Sequence, residues 1–162
     1  FDTVAVLDGG LPAWKDAKFE IKKEYEPITR PGNFTAKFNK RLLVNFETIL
    51  KTSLSNSSTI IDARPSERFN ELPPEPRKDL RSGSIPMSIN IPYVEVLKGY
   101  KFKDAESLQQ IFNCKVDKDS PLIFSCGSGV TACILALAAD IAEYKNYAVY
   151  DGSWTEYGTL TN

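Results

Sequence analysis

One short stretch concentrates the residue types that nucleophilic chemistry needs: Ser125-Cys126-Gly127-Ser128-Gly129-Val130-Thr131-Ala132. An apolar run, Leu122 to Ser125, delivers Cys126 into a loop with two glycines, and an apolar helical pattern starts straight after. Glycines at 127 and 129 free the backbone to turn consecutive N–H groups towards one point, and the positive end of the following helix adds to them. A thiol held there has its pKa depressed, and its thiolate is a nucleophile. The same residues also fit a structural cysteine buried before a glycine turn. Cys133, inside the apolar run, is read as packed core, and Cys114 as the close of a shorter helix, with a resolving role the less expected reading.

A second stretch is basic. Asp62-Ala63-Arg64-Pro65-Ser66-Glu67-Arg68-Phe69 follows a strand pattern, and Arg77 closes the proline-rich Pro73-Pro74-Glu75-Pro76-Arg77. Ligands of α/β sheets collect outside the carboxyl ends of strands, where guanidinium groups clamp a carboxylate in bidentate fashion. Arg64, Arg68 and Arg77 all follow such an end, Arg64 being the one nearest the strand and the one expected to be structural. The bland reading makes them surface arginines paired with Glu67, Glu71 and Glu75.

Composition narrows the chemistry. The 162 residues include no histidine, which excludes His-ligated metal and any hydrolytic triad whose base comes from this chain. Three cysteines without a C-x-x-C pair suggest neither a zinc ribbon nor a disulfide scaffold, and lean towards a reducing compartment. Lys and Arg number 20 against 21 Asp and Glu, so the balance gives no footprint for nucleic acid or an anionic membrane. No stretch reaches the roughly 18 apolar residues of a membrane span.

The elements that must position these residues alternate. Val4–Leu7, Thr59–Asp62, Ser88–Ile91, Leu122–Ser125 and Tyr147–Tyr150 read as buried strands. Helical spacing appears over Phe46–Leu54 with Asn45 as N-cap, over Asp104–Phe112 with Asp104 as cap, and over Val130–Ala142, which is apolar nearly all round and so expected to be buried on most sides. This alternation predicts an α/β fold: a central parallel sheet with helices on both faces.

Ala5-Val6-Leu7-Asp8-Gly9 recurs as Ala148-Val149-Tyr150-Asp151-Gly152, an offset of 143 residues, with Trp14 against Tyr157. A duplicated domain follows as an expectation. Residues 1–21 are then the C-terminal remnant of a first copy, 22–40 an inter-domain linker rich in charge and proline, and 41–162 the complete copy. The start at Phe1-Asp2-Thr3, without Met or a signal-like run, reads as a cut inside a longer chain.

These residues resemble the rhodanese superfamily, and within it the catalytic second domain of enzymes that take sulfur from 3-mercaptopyruvate. Cys126 to Ala132 matches the active-site loop at every position, and Asp62-Ala63-Arg64, Arg68-Phe69, Glu75-Pro76-Arg77, Ile91-Pro92 and Tyr150-Asp151-Gly152-Ser153-Trp154 fall where the family places such motifs. The resemblance implies a rhodanese-like domain and a Cys126 persulfide, formed as pyruvate leaves and passed to a thiol acceptor such as thioredoxin, or to cyanide. It makes Cys126 and Ser128 catalytic, Arg68 and Arg77 the substrate-carboxylate arginines, and the N–H groups of Gly127, Ser128, Gly129, Val130 and Thr131 the persulfide-binding loop. It implies no cofactor or metal, no nucleic-acid or membrane partner, a monomer, and a cytoplasmic or mitochondrial location.

Thiosulfate-preferring relatives carry basic side chains just after the cysteine; neutral Gly127 and Ser128 favour mercaptopyruvate. The family's proton-handling set pairs its loop serine with a His and an Asp from the first domain. This chain has no histidine, so the chain alone is expected to be slow or inactive. Gly83-Ser84-Ile85-Pro86-Met87 also departs from the family's Gly-His-Ile-Pro-Gly turn, which is mostly structural. The rival readings are a thiosulfate sulfurtransferase, a non-catalytic binding module, which usually loses the cysteine, and a phosphatase, which needs a loop-closing arginine where Ala132 and Cys133 stand.

Overall fold

The computed structural model describes residues 4–24, 27, 29–55, 57–72 and 75–161. The expectations for Phe1–Thr3 and for the Pro73-Pro74 pair lie outside these residues. In chain order the elements are α1 (Gly10–Asp16), β1 (Leu43–Val44), α2 (Phe46–Ser55), β2 (Thr59–Asp62), α3 (Ser66–Phe69), β3 (Ile89–Asn90), β4 (Leu97–Lys98), β5 (Lys101–Phe102), α4 (Ala105–Asn113), β6 (Leu122–Ser125), α5 (Val130–Ile141), β7 (Tyr147–Tyr150) and α6 (Ser153–Leu160). The main sheet runs β1-β7-β6-β2-β3, every pairing parallel, and β4 and β5 form a small antiparallel hairpin beside it.

Period-two side chains divide the core between two faces. Ile61, Leu122 and Phe124 pack with Leu108 and Phe112 of α4 and Ala132, Leu135 and Ala139 of α5. Ile60, Ile123 and Tyr150 point the other way, into Ile49 of α2 and Trp154 and Tyr157 of α6. Both faces are covered, which is why the central strands carry consecutive apolar residues, Ile60-Ile61 in β2 and Leu122-Ile123-Phe124 in β6. Helix starts obey their caps: Thr48 N–H donates to Asn45 Oδ1 at 3.0 Å and Ser107 N–H to Asp104 Oδ1 at 2.9 Å.

Two expectations change. Val4–Leu7 is not a buried strand: Val4, Val6 and Leu7 are exposed and irregular, because no neighbouring strand among the described residues supplies ladder partners. The segment instead lies against the hairpin and α5, where Phe102 N–H donates to Asp8 Oδ1 and Tyr100 to Asp16. Cys133 is not core either. Only one side of α5 meets the sheet, and Val130 and Cys133 lie on its open side.

Candidate active site

β6 ends at Ser125, so Cys126 emerges at the carboxyl edge of the sheet between β2 and β7, and Gly129 (φ +82°) opens α5. An added Cβ at Gly129 would meet Asp151 at 2.8 Å, so glycine is required there on two counts. The loop is fastened from behind by the first turn of α6. The otherwise orphaned N–H groups of Trp154 and Thr155 donate to the carbonyls of Cys126 (2.9 Å) and Gly127 (3.0 Å). In a trans peptide the N–H opposes the C=O, so these bonds turn the N–H groups of Gly127 and Ser128 towards the loop's interior.

Ser153 completes the fastening. Its buried Oγ accepts N–H from both Cys126 and Gly129 at 3.0 Å and donates to the Tyr150 carbonyl at 2.9 Å. Ser153 adopts φ +50°, an uncommon conformation for a residue with a side chain. The Gly129 N–H, expected among the sulfur's donors, is thus spent on Ser153.

Burial pushes the Cys126 thiol up, but hydrogen bonds outweigh it: the Thr131 hydroxyl, the N–H groups of Ser128 and Ala132, and the Ser153 hydroxyl at 3.9 Å bring its pKa below the ordinary thiol value. Each stabilising group is a hydrogen-bond donor, and three of the four belong to the loop and the first turn of α5. Cys133 goes the other way; burial, then the proximity of Cys126 and Asp151, raise it.

The arginines separate by role. Arg64 is buried; its guanidinium pairs with Asp62 at 2.8 Å, donates to Gly83 O at 2.8 Å and lies 5.2 Å from the Trp154 ring centre, as a structural residue should. Arg68 Nη2 donates to both carboxylate oxygens of Glu75, at 2.8 and 2.9 Å, and its Nη atoms lie 3.7 Å from where a Gly127 Cβ would be. Exposed Arg77 donates to the Thr155 hydroxyl, which donates to the Gly127 carbonyl. A cavity of about 280 Å³ brings Arg64, Arg68, Arg77, Tyr93, Cys126, Gly127, Ser128, Val130 and Thr131 together. Ser128 sits on its exposed rim. Larger grooves of about 640 and 780 Å³ lie between the N-terminal segment, the hairpin and α5, away from the Cys126 thiol.

Sequence reasoning assigned no role to Ser153, Thr155 or the Ala132 N–H. The Tyr150-Asp151-Gly152-Ser153-Trp154 motif was the one signal for Ser153. No cluster of three or more His, Cys, Asp or Glu able to hold a metal occurs among the described residues.

This arrangement has relatives. The chain is 39% identical over 159 residues to the 3-mercaptopyruvate sulfurtransferase of Escherichia coli strain K12, covering 97% of this chain and 56% of that protein. It is also 39% identical over 164 residues to the thiosulfate sulfurtransferase of Rattus norvegicus, covering 96% and 53%. The crystal structure of SseA from Escherichia coli, described among 3-mercaptopyruvate sulfotransferases, superposes with a TM-score of 0.75 at 36% identity over 91% of this chain and 55% of that one. The chain therefore spans about half the length of the curated relatives it matches. Residues 47–159, which carry the sheet from α2 onwards, the Cys126 loop and both outer arginines, match the Rhodanese-like domain family, and the chain belongs to it.

Proposed function

We propose that the protein is a sulfurtransferase that takes sulfur from 3-mercaptopyruvate and passes it to a thiol acceptor. The observation that carries this reading is the Cys126 thiol, buried at the loop's centre with its pKa lowered by converging N–H and O–H donors. The Cys126 thiolate attacks the donor's sulfur. An S–S bond forms, the C–S bond breaks, and its electron pair passes to the carbon as the enolate of pyruvate. The enolate takes a proton and leaves as pyruvate. An acceptor thiolate then attacks the outer sulfur of Cys126–S–SH, leaving with it and restoring the Cys126 thiolate. Cyanide serves as acceptor in a test tube.

Arg77 and Arg68, beside the loop, bind the donor carboxylate. The N–H groups of Gly127, Ser128, Val130 and Thr131 offer the outer sulfur a nest of dipoles. Ser128, on the exposed rim, relays protons. Thioredoxin fits as acceptor and the protein acts as a monomer. Its site of action is mitochondrial or cytoplasmic, and a relative from Arabidopsis thaliana that is named mitochondrial supports the first.

The domain reading stands with this. Gly10 and Ser153, 143 residues apart, have φ of +52° and +50°, and each opens a helix just after an Asp-Gly pair. That supports 1–21 as a remnant of a first rhodanese domain, 22–40 as a linker and 41–162 as the catalytic domain. A second reading, with thiosulfate as donor, is favoured by the equal identity to the rat thiosulfate enzyme. Release of pyruvate from 3-mercaptopyruvate by the protein, lost in Cys126→Ser, tests the proposal; pyruvate release unchanged in that variant contradicts it.

A further inference from the structure

We infer that Glu75 is a specificity-determining residue: by cancelling the charge of Arg68 it sets the site to prefer a monoanionic sulfur donor over a dianionic one. This rests on the sulfurtransferase reading above and concerns which donor the same site takes.

The inference follows from the charges around the cavity. Arg64 is neutralised by Asp62 at 2.8 Å, both side chains being 2% exposed. Arg68 is neutralised by Glu75, whose side chain is 3% exposed against 27% for Arg68, so the carboxylate lies behind and the guanidinium in front. The Glu75 backbone is pinned as well, its N–H donating to Ser82 Oγ at 3.0 Å. Arg77 meets a neutral hydroxyl, that of Thr155, and among the described residues no carboxylate lies within ion-pair distance of it. Gly127 and Ser128 add no charge. Asp151, the carboxylate beside Gly129, is exposed, where water screens it.

One positive charge is therefore left to meet the donor. A monocarboxylate such as 3-mercaptopyruvate balances it. Thiosulfate brings two negative charges to a site that also holds a thiolate, and one of them stays uncompensated. The reaction with thiosulfate balances chemically: the Cys126 thiolate attacks the outer sulfur, the S–S bond of thiosulfate breaks, and sulfite leaves with the electron pair. Discrimination therefore lies in electrostatics, and an added positive charge acts twice as strongly on the dianion.

The test measures persulfide formation rates with 3-mercaptopyruvate and thiosulfate for the protein and its variants. Glu75→Gln keeps the shape and removes the charge; the thiosulfate-to-mercaptopyruvate ratio of kcat/KM rises about tenfold. Glu75→Asp keeps the charge with a shorter reach, and the ratio stays at its original value even where both rates fall. Arg68→Gln combined with Glu75→Gln returns the site to its original charge, and the ratio falls back; should Glu75→Gln alone not fold, Arg68→Gln, which leaves the negative charge of Glu75 in place, lowers the ratio below its original value, and an unchanged ratio there overturns the inference. A ratio unchanged in Glu75→Gln, or moved equally by Glu75→Asp, overturns the inference, as does a double variant that keeps the raised ratio. Absence of persulfide with either donor, both from this chain and from one that also carries a complete first domain, instead removes the sulfurtransferase reading on which the inference stands.

Discussion

Ser153 Oγ accepts the backbone N–H of Cys126 at 3.0 Å while standing 3.9 Å from the Cys126 sulfur, so one hydroxyl both holds the nucleophile's backbone and faces its thiolate. That hydroxyl has a single proton, which the Tyr150 carbonyl accepts at 2.9 Å. As the thiolate forms, the proton has a charged competitor, and charge-assisted bonds are the stronger kind. Ser153→Ala leaves two buried N–H groups, those of Cys126 and Gly129, without an acceptor. Its expected effects are a Cys126 pKa shifted upwards and a stability loss of about 1–3 kcal/mol. Alkylation rate against pH and a denaturant titration check the two separately.

Ser153→Gly separates strain from the hydroxyl. Glycine accepts φ +50° freely where alanine does not, so the glycine variant is about 1 kcal/mol more stable than the alanine variant. Both lose the same thiolate stabilisation. Equal melting temperatures with unequal alkylation profiles contradict this division of roles.

The pH dependence of Cys126 follows from the direction of its shift. Only the thiolate reacts, so the rate rises with pH and levels off above the folded-state pKa. Hydrogen bonds hold that pKa below its ordinary value, and the curve therefore rises and levels off at lower pH than that of a free thiol. Thr131→Val removes a leading donor and moves the curve to higher pH. Iodoacetamide labelling of Cys126, followed by peptide mapping, reads both curves.

Arg77→Ala removes the one site arginine that has no carboxylate partner among the described residues. Loss of a charged contact to the donor carboxylate costs about 1.5–3 kcal/mol, seen as a KM for 3-mercaptopyruvate raised roughly tenfold or more. Unchanged steady-state kinetics would return Arg77 to an ordinary surface residue.

Arg64 is predicted to act on stability. Asp62→Asn leaves its guanidinium buried beside Trp154 with its charge uncompensated, and breaking such a pair costs about 3–5 kcal/mol. Chemical denaturation measures the loss. A shift within 0.5 kcal/mol would place the pair among those that contribute little.

What could be read in the sequence depended on contiguity. β2, β6 and β7 carry consecutive apolar residues, with no apolar–polar alternation at their centres, because both faces of the sheet are covered, and that pattern survives in the chain itself. β1 has two residues, too few to show a period, and exists because β7 offers it an edge. Val4–Leu7 has the composition of a strand and, among the described residues, no neighbour to pair with, a condition that composition does not express. The same limit governs the site. Cys126, its glycines and the start of α5 are adjacent in sequence, so an anion-stabilising loop could be foreseen. Ser153 joins the loop from 27 residues away and Thr155 from 28, and their roles arise only when α6 folds against β6. Cys133 lies in an apolar stretch, yet packing decides which side of α5 is covered, and it is on the other.

The central claim is that Cys126 carries sulfur, and the most direct test is the intact mass of the protein after incubation with 3-mercaptopyruvate, followed by peptide mapping. The account predicts a gain of one sulfur atom on Cys126, removed by a reducing thiol and absent in Cys126→Ser. A sulfur gained at Cys114 or Cys133 instead, or retained in Cys126→Ser, would contradict it.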